Sequence, residues 1–153
     1  MELIWQLQPP FDSPTAISQR RMSKHNPNAL LEAASEARLN AHSKYSKFSV
    51  GSALLTEDGS IFLGCNVENA SYGLTICAER VALTSAVTAG HKSFQAIAIV
   101  ADKSAAPCGA CRQVLAEFCQ DDFPVYVASV KDSASFETHL MGKLLPERFH
   151  FNP

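Results

Sequence analysis

The sequence lacks any uninterrupted apolar run of about 18 residues, the length that a helix needs to cross a bilayer. It also lacks a surplus of positive charge, since 13 Lys and Arg stand against 15 Asp and Glu in 153 residues, for a net charge of −2. Proteins that grip the phosphate backbone of nucleic acids need such a surplus. We therefore expect neither a membrane protein nor a nucleic-acid-binding protein.

The first residues also lack the basic start and continuous apolar stretch of a secretion signal. The cysteine count is five, an odd number that does not suit a framework built of disulfides alone. Thiols that stay free or hold a metal are typical of reducing compartments. These features lead us to expect a cytoplasmic protein.

The apolar pattern divides the chain into two parts. Residues 1–27 contain four prolines among Ser, Gln and Asn, and we expect them to form a loose N-terminal extension. The alternative is that Trp5 and Phe11 dock this extension on the domain or on a neighbour. Residues 28–153 have the composition of one folded domain.

Within the domain, hydrophobic periodicity and turn residues predict the order of the elements. Helix, hairpin, helix, strand, helix and strand follow one another, which favours a mixed sheet covered by helices. The predicted segments are a helix that starts after Asn26, hairpin strands 49–55 and 60–66, helix 78–89, strand 94–101, helix 111–119, strand 125–130 and a last short helix 139–145.

Three of the cysteines have the spacing of metal ligands. Cys108 and Cys111 form a C-x-x-C pair, which suits two thiolates on one tetrahedral ion but also occurs in redox dithiols. Cys77 is a third candidate because it lies, like this pair, at the start of a predicted helix. Helix N-termini stabilise thiolates through their backbone N–H groups and partial positive charge.

The other two cysteines do not fit the same ion. Cys119 lies eight residues after Cys111, or about 12 Å further along a continuous helix. Cys65 precedes Asn66 on a predicted strand, so the two side chains point to opposite faces. The count therefore gives three ligands and two buried bystanders, and three protein ligands leave a zinc ion one position for water, as in catalytic sites.

Glu79 and Arg80 follow Cys77 closely and gain roles from it. Alone, Glu79 would be read as a surface residue at a helix start, but beside a metal it suits general acid/base work. Three thiolates on Zn²⁺ leave a net charge of −1, which weakens the ion as a Lewis acid. Arg80 is a candidate for offsetting this charge by hydrogen bonds to the thiolates, and a plain surface arginine is the equally weighted alternative.

Taken together, five sequence blocks between residues 29 and 151 resemble the small zinc-dependent cytidine deaminases, the homotetrameric class. The resemblance implies a three-layer α/β/α fold, in which a mixed sheet of about five strands carries helices on both faces. The blocks are 45–51 (YSKFSVG), 64–72 (GCNVENASY), 77–80 (CAER), 107–113 (PCGACRQ) and 144–146 (LLP).

The resemblance also implies the reaction. Cytidine and 2′-deoxycytidine are converted to uridine and 2′-deoxyuridine with release of ammonia, a step of pyrimidine salvage. Zinc held by the three cysteines activates a water, and Glu79 moves a proton from it to the pyrimidine ring and then toward the leaving amine. The further implied roles are ribose contacts for Asn66 and Glu68, packing near the base for Phe48, thiolate bonding for Arg80, and, in a homotetramer with shared sites, contacts to a neighbouring subunit's substrate for Tyr72 and Phe149.

Two alternatives stay open at this point. A related aminopyrimidine deaminase, such as one that acts on blasticidin S, shares the Cys-Ala-Glu and Pro-Cys-x-x-Cys blocks, although residues 66–69 (NVEN) fit a free ribose better. A non-catalytic binding module stabilised by zinc needs the three cysteines but not Glu79. The presence of that glutamate favours an enzyme.

Overall fold

The computed structural model of the protein describes residues 26–151. The expectations for the N-terminal extension up to His25, including those for Trp5 and Phe11, lie outside the described residues. Within 26–151, no helix is both long enough and apolar enough to pass through a membrane. The elements are α1 (Pro27–Arg38), β1 (Val50–Thr56), β2 (Ile61–Cys65), a short 3₁₀ helix (Tyr72–Leu74), α2 (Ala78–Thr88), β3 (Phe94–Ala101), α3 (Gly109–Ala116), β4 (Pro124–Ser129), β5 (Asp132–Leu140) and α4 (Met141–Leu144).

The five strands form one mixed sheet in the order β2-β1-β3-β4-β5. Strands β3 and β4 are parallel and are joined by a crossover that contains α3, whereas the other neighbouring pairs are antiparallel. Helix α1 buries Leu30, Leu31 and Ala34 on one face of the sheet. Helices α2 and α3 cover the other face through residues such as Leu83 and Leu115. The predicted three-layer α/β/α fold is thereby confirmed.

Two glycines allow helices to lie directly on the strands. A Cβ atom on Gly51 would lie 2.0 Å from the carbonyl oxygen of Ala34 in α1. A Cβ atom on Gly64 would lie 2.2 Å from the carbonyl oxygen of Ala78 and 2.5 Å from the nitrogen of Ala82, both in α2. The first turn of α2 therefore rests on β2 at a distance that only glycine permits.

The C-terminal part of the chain departs from the sequence prediction. The sequence predicts a helix over 139–145, but β5 continues to Leu140 and α4 covers Met141–Leu144. His139 and Leu140 extend the strand because they pair with Val125 and Pro124 of β4. The fifth strand has no continuous apolar run, which is why local pattern did not reveal it.

Helix α3 also ends earlier than predicted, at Ala116 rather than Cys119. Cys119 lies beyond the helix, and its N–H donates to the carbonyl of Leu115 at 2.9 Å. Its side chain is buried in the core cluster that also contains Phe123 and Met141. Cys119 therefore lies in the core and outside the group of clustered sulfurs, as predicted.

The close packing at Gly64 predicts the effect of adding one methyl group there. We expect Gly64→Ala to lower the free energy of unfolding by about 1–3 kcal/mol, because the new Cβ atom has to push α2 away from β2. Urea denaturation of the zinc-saturated protein measures the change. Gly73→Ala is the matched control, since a Cβ atom at Gly73 meets nothing within 4 Å. Equal stability of the two variants would contradict the packing argument.

Candidate metal centre and active site

The sheet directs α2 and α3 to start at the same place. Strands β2 and β3 point the same way because each is antiparallel to β1, so the helices that follow them begin at one edge of the sheet. Cys77 directly precedes α2 and Cys108 directly precedes α3. Cys111 lies in the first turn of α3, on the same face as Cys108 because residues three apart are neighbours on a helix.

The three sulfur atoms have the spacing that a zinc ion requires. The Sγ atoms of Cys77 and Cys108 are 3.9 Å apart, and those of Cys108 and Cys111 are 3.5 Å apart. All three lie within 4.8 Å of one another. Within residues 26–151, no other three His, Cys, Asp or Glu side chains come together closely enough to hold a metal. Two sulfurs on a tetrahedral zinc ion, with Zn–S bonds of about 2.3 Å, are about 3.8 Å apart. The three thiols therefore fit zinc.

The remaining two cysteines lie elsewhere. The Cys65 thiol donates to the carbonyl of Asn40 at 3.4 Å, and partial burial raises its pKa. Burial raises the pKa of Cys119 to about 12. Neither sulfur belongs to the metal-ligand group, and both thiols stay protonated at neutral pH.

One of the three clustered thiols ionises readily. A hydrogen bond from Cys111, together with bonds from Arg80 and Cys108, lowers the pKa of Cys77 to about 5 against the opposing effect of burial. The Nη2 atom of Arg80 lies 3.7 Å from the Cys77 sulfur and also donates to the carbonyl of Thr75 at 3.3 Å. This contact raises the pKa of Arg80, so the guanidinium is a permanent positive charge beside the sulfurs, as its predicted role requires.

Glu79 lies in the first turn of α2, two residues after Cys77, and is only 5% exposed. Burial raises the pKa of its carboxyl group, and the negative charge of Cys77 acts in the same direction. A carboxyl group whose pKa is shifted toward neutrality can both give and take a proton at physiological pH. The structure thus places a buried carboxyl group beside the three cysteines that could hold a metal.

Asn66 holds the segment that carries Phe48. Its Nδ2 donates to the carbonyl of Phe48 at 2.9 Å, and its Oδ1 accepts from the N–H of Val50 at 2.8 Å. An amide side chain has two N–H donors and two acceptor lone pairs, so one of each remains available. The ring of Phe48 is half-buried.

Glu68 lines a cavity of about 400 Å³ together with Tyr45, Ser46, Tyr72 and Thr75. Its carboxylate accepts hydrogen bonds from the hydroxyl and the N–H of Ser46 and, at 2.7 Å, from the N–H of Tyr45. These bonds lower the pKa of Glu68, so the cavity contains an ionised carboxylate at neutral pH.

Volume alone does not identify this cavity. Clefts of about 630 and 610 Å³ lie elsewhere on the described surface. The residues that line them include none of the metal ligands and none of the predicted substrate contacts. We identify the site by its chemistry: the cavity is lined by the predicted substrate contacts Glu68 and Tyr72 and by Thr75. Arg80 connects Thr75 to the metal group, since its Nη2 contacts both the Thr75 carbonyl and the Cys77 sulfur.

Tyr72 and Phe149 are predicted site residues with strongly exposed rings. Tyr72 is 74% exposed and meets Tyr45 edge-on, with ring centroids 5.8 Å apart. Phe149 is 70% exposed, and its carbonyl accepts from Gln113 of α3 at 3.1 Å. Phe149 is not among the residues that line the cavity beside Glu68.

Sequence reasoning missed the part that Ser46 plays. Besides binding Glu68, its hydroxyl accepts from the N–H of Phe48 at 3.0 Å. Serine hydroxyls commonly bond the backbone two residues further along the chain in turns. Ser46 lies inside the 45–51 block, so the signal was present but its partner, Glu68, is 22 residues away.

The fold and the site together define a class of protein. Three thiols suited to zinc, with one coordination position left over and a buried carboxyl group beside them, are the parts of a metal-dependent hydrolytic enzyme. Residues 24–127 match the sequence model described as the cytidine and deoxycytidylate deaminase zinc-binding region. The chain belongs to this zinc-dependent deaminase family.

Individual relatives agree with this assignment. A cytidine deaminase from Sporosarcina psychrophila is 50% identical over 122 residues, which are 78% of this chain and 88% of that protein. A probable cytidine deaminase from Dictyostelium discoideum is 47% identical over 133 residues, 84% of this chain and 86% of that protein. The crystal structure of cytidine deaminase from Burkholderia pseudomallei aligns with a TM-score of 0.76 at 48% identity, covering 84% of this chain and all of that one.

The metal centre predicts which cysteines the protein needs for zinc. We expect Cys111→Ser to lose most of the roughly one zinc per chain that three protein ligands hold, because a hydroxyl is a far weaker zinc ligand than a thiolate. Metal analysis after gel filtration measures this. Cys65→Ser should keep its zinc, and it is a matched control because serine can still donate to Asn40. Zinc loss in both variants, or in neither, would overturn the ligand assignment.

Proposed function

We propose that this chain hydrolyses cytidine and 2′-deoxycytidine to uridine and 2′-deoxyuridine, with release of ammonia. The observation that carries the proposal is the buried carboxyl group of Glu79 beside three thiols with zinc spacing. The relatives that match most of this chain are cytidine deaminases by name, which supports cytidine as the substrate.

In this mechanism, Cys77, Cys108 and Cys111 hold the metal. When bound, zinc supplies the Lewis acidity that makes water a nucleophile at neutral pH. Glu79 takes one proton of the attacking water and gives it to the ring nitrogen next to the reacting carbon. It then takes the second proton, from the oxygen that has added to that carbon, and gives it to the amine, so that the C–N bond breaks, ammonia leaves and a carbonyl remains. The raised pKa of Glu79 suits this repeated transfer, because the carboxyl group has to change protonation state within each cycle.

Arg80 balances the charge at the site. The ion and three thiolates together carry −1. Without compensation, this negative charge would raise the pKa of the nearby Glu79 carboxyl group so far that the group would stay protonated and could not accept a proton from water. The guanidinium at 3.7 Å from the Cys77 sulfur draws electron density from the thiolate and so strengthens the metal as a Lewis acid.

Glu68 and Asn66 are the contacts for the sugar. The ionised carboxylate of Glu68 has lone pairs beyond those used by Tyr45 and Ser46, and these can accept from the ribose hydroxyls. Asn66 keeps one N–H donor and one lone pair for the same purpose. Phe48 packs beside the base, where aromatic contact contributes about 1–3 kcal/mol. A net charge of −2 suits a neutral nucleoside.

The alternative of a deaminase specific for blasticidin S is less favoured. A blasticidin-S deaminase from Bacillus cereus is 34% identical over 87 residues, which are 50% of this chain and 62% of that protein. The cytidine deaminases match more of the chain at higher identity. A non-catalytic zinc module is disfavoured because it needs the three cysteines but not Glu79, whose buried carboxyl group costs free energy.

Further parts of the proposal concern the setting of the reaction. Residues 28–153 form the catalytic domain, preceded by residues 1–27 as an extension. The protein acts in pyrimidine salvage in the cytoplasm, where a reducing environment keeps Cys65 and Cys119 free. It assembles as a homotetramer in which Tyr72 and Phe149 reach the substrate of a neighbouring subunit, as the exposure of both rings suggests.

The proposed function predicts a specific pattern of turnover. The zinc-loaded protein should deaminate cytidine and 2′-deoxycytidine but act little on cytosine or blasticidin S. The change in ultraviolet absorbance measures each reaction. Glu79→Gln should lose at least about 10³-fold in kcat, because the amide cannot carry a proton. The variant should keep its zinc, since the side chain at this position is not one of the metal ligands.

Two results would contradict this proposal. Turnover of blasticidin S alone would overturn the substrate, and normal activity of the zinc-loaded Glu79→Gln protein would overturn the proton transfer. Glu57→Gln serves as a control for the loss of one carboxylate, because Glu57 is an exposed residue at the end of β1 away from the sulfurs.

The shared site makes a prediction for mixed oligomers. Phe149→Ala and Glu79→Gln proteins should each be poorly active alone, but mixing their subunits should restore activity, because some sites then combine a native Glu79 with a neighbour's Phe149. The mixture is assayed after subunit exchange and checked by sedimentation. Phe151→Ala, which removes a similarly exposed ring, is the control partner. A fully active monomer would refute the shared site.

A further inference from the structure

We propose that Arg38 is a positioning residue that ties the segment carrying Phe48 to the segment leading to Cys108. This inference rests on the proposed function, because it assigns Arg38 to the nucleoside site. One guanidinium group makes both connections: its Nε donates to the carbonyl of Ser49 at 3.0 Å, and its Nη2 forms an ion pair with the carboxylate of Asp102.

The backbone of Arg38 is held firmly in place. It is the last residue of α1, and the absence of a side chain on Gly51 lets the backbone of Arg38 lie directly on β1. Its side chain is only 17% exposed. A cation in the last turn of a helix also interacts favourably with the partial negative charge of the helix end. The guanidinium therefore has a fixed position from which to hold both loops.

The first connection restrains the nucleoside side of the site. Ser49 stands between Phe48 and Val50, and Asn66 bonds both of those residues. The Ser49 hydroxyl forms a further hydrogen bond of 2.8 Å with Ser43. Asn66 thus holds this segment from the side of the site, and Arg38 holds its central carbonyl. Without Arg38, the segment that carries the Phe48 ring loses the hydrogen bond that ties the carbonyl of Ser49 to helix α1.

The second connection restrains the metal side. Asp102 is the first residue after β3 and begins the connection that ends six residues later at Cys108. Its own carbonyl accepts from the hydroxyl of Ser129 in β4 at 2.9 Å. The carboxylate of Asp102 faces Arg38 at the mouth of this connection. Val50 and Ala101 already bring the two segments together by pairing in the sheet, and Arg38 adds a side-chain link between the start of the Cys108 loop and the Phe48 segment.

The chemistry of arginine explains why this residue fits the position. A guanidinium group presents several N–H donors in a rigid plane, so that one side chain can serve two acceptors in fixed directions. A lysine ammonium keeps the charge for Asp102 but has no rigid fork with which to reach Ser49 at the same time. The matched pair Arg38→Lys and Arg38→Met therefore separates charge from geometry.

The test compares nucleoside binding with zinc content. In Arg38→Met, we expect the KM for cytidine and the Kd for uridine, measured by calorimetry, to rise roughly tenfold or more, because a charge-assisted hydrogen bond and an ion pair are lost together. Zinc should stay near one per chain, kcat should change less than KM, and Arg38→Lys should be intermediate. Glu36→Gln is the control, since Glu36 is exposed in the same helical turn.

A double-mutant cycle with Asp102→Asn tests the bridge itself. If Arg38 acts partly through Asp102, Arg38→Met will raise the KM by a smaller factor in the Asp102→Asn protein than in the native one. If Arg38→Met instead raises the KM by the same factor in both backgrounds, Arg38 does not act through Asp102, and the proposed link between the two residues is overturned. Should Arg38→Met fail to fold, Arg38→Lys and Asp102→Asn carry the same comparison.

The result that overturns the inference is a KM and a uridine Kd within twofold of the native values in folded Arg38→Met. This result is distinct from failure of the proposed function, in which the native, zinc-loaded protein itself would neither turn over cytidine nor bind uridine. The native protein is therefore measured first.

Discussion

The structure depends on holding three thiols and a carboxyl group together at one edge of the sheet. Charges of the same sign repel strongly in a medium of low dielectric constant, so such a cluster needs compensation in place. The N-termini of α2 and α3 and the guanidinium of Arg80 provide it. This requires β2 and β3 to point the same way, and hence β1 to lie antiparallel between them, as the sheet order shows.

The same requirement explains why the helices lie so close to the sheet. The position of the Cys77 sulfur is set by the first turn of α2, and that turn rests on Gly64 with no side chain between. Gly51 does the same for the end of α1. Tight contact removes the freedom of these helix ends to shift, so that the distances between site residues are set by the backbone. A stiff scaffold of this kind lowers the cost of ordering the site when a substrate binds.

Much of this arrangement could be predicted from the sequence, because its signals are local. Helix α1 has its cap at Asn26, strand β3 is apolar at every position but Gln95, and the C-x-x-C pair reveals the metal centre. The failures have a different origin. Strand β5 is assigned by pairing with β4 and not by its own pattern, and α3 ends at Ala116 because Cys119 turns into the core. Both outcomes are decided by contacts with distant residues.

The contacts that orient the site are non-local in the same way. Arg38 meets Asp102 across 64 positions of sequence, and Ser46 meets Glu68 across 22. Each of these side chains is ordinary at its own place in the chain: a basic residue at a helix end, or a serine in a turn. Their roles arise only when the sheet brings separate loops to one edge. Spacing along the sequence therefore identifies the candidate metal ligands, whereas the side chains that hold the surrounding loops are determined by the fold.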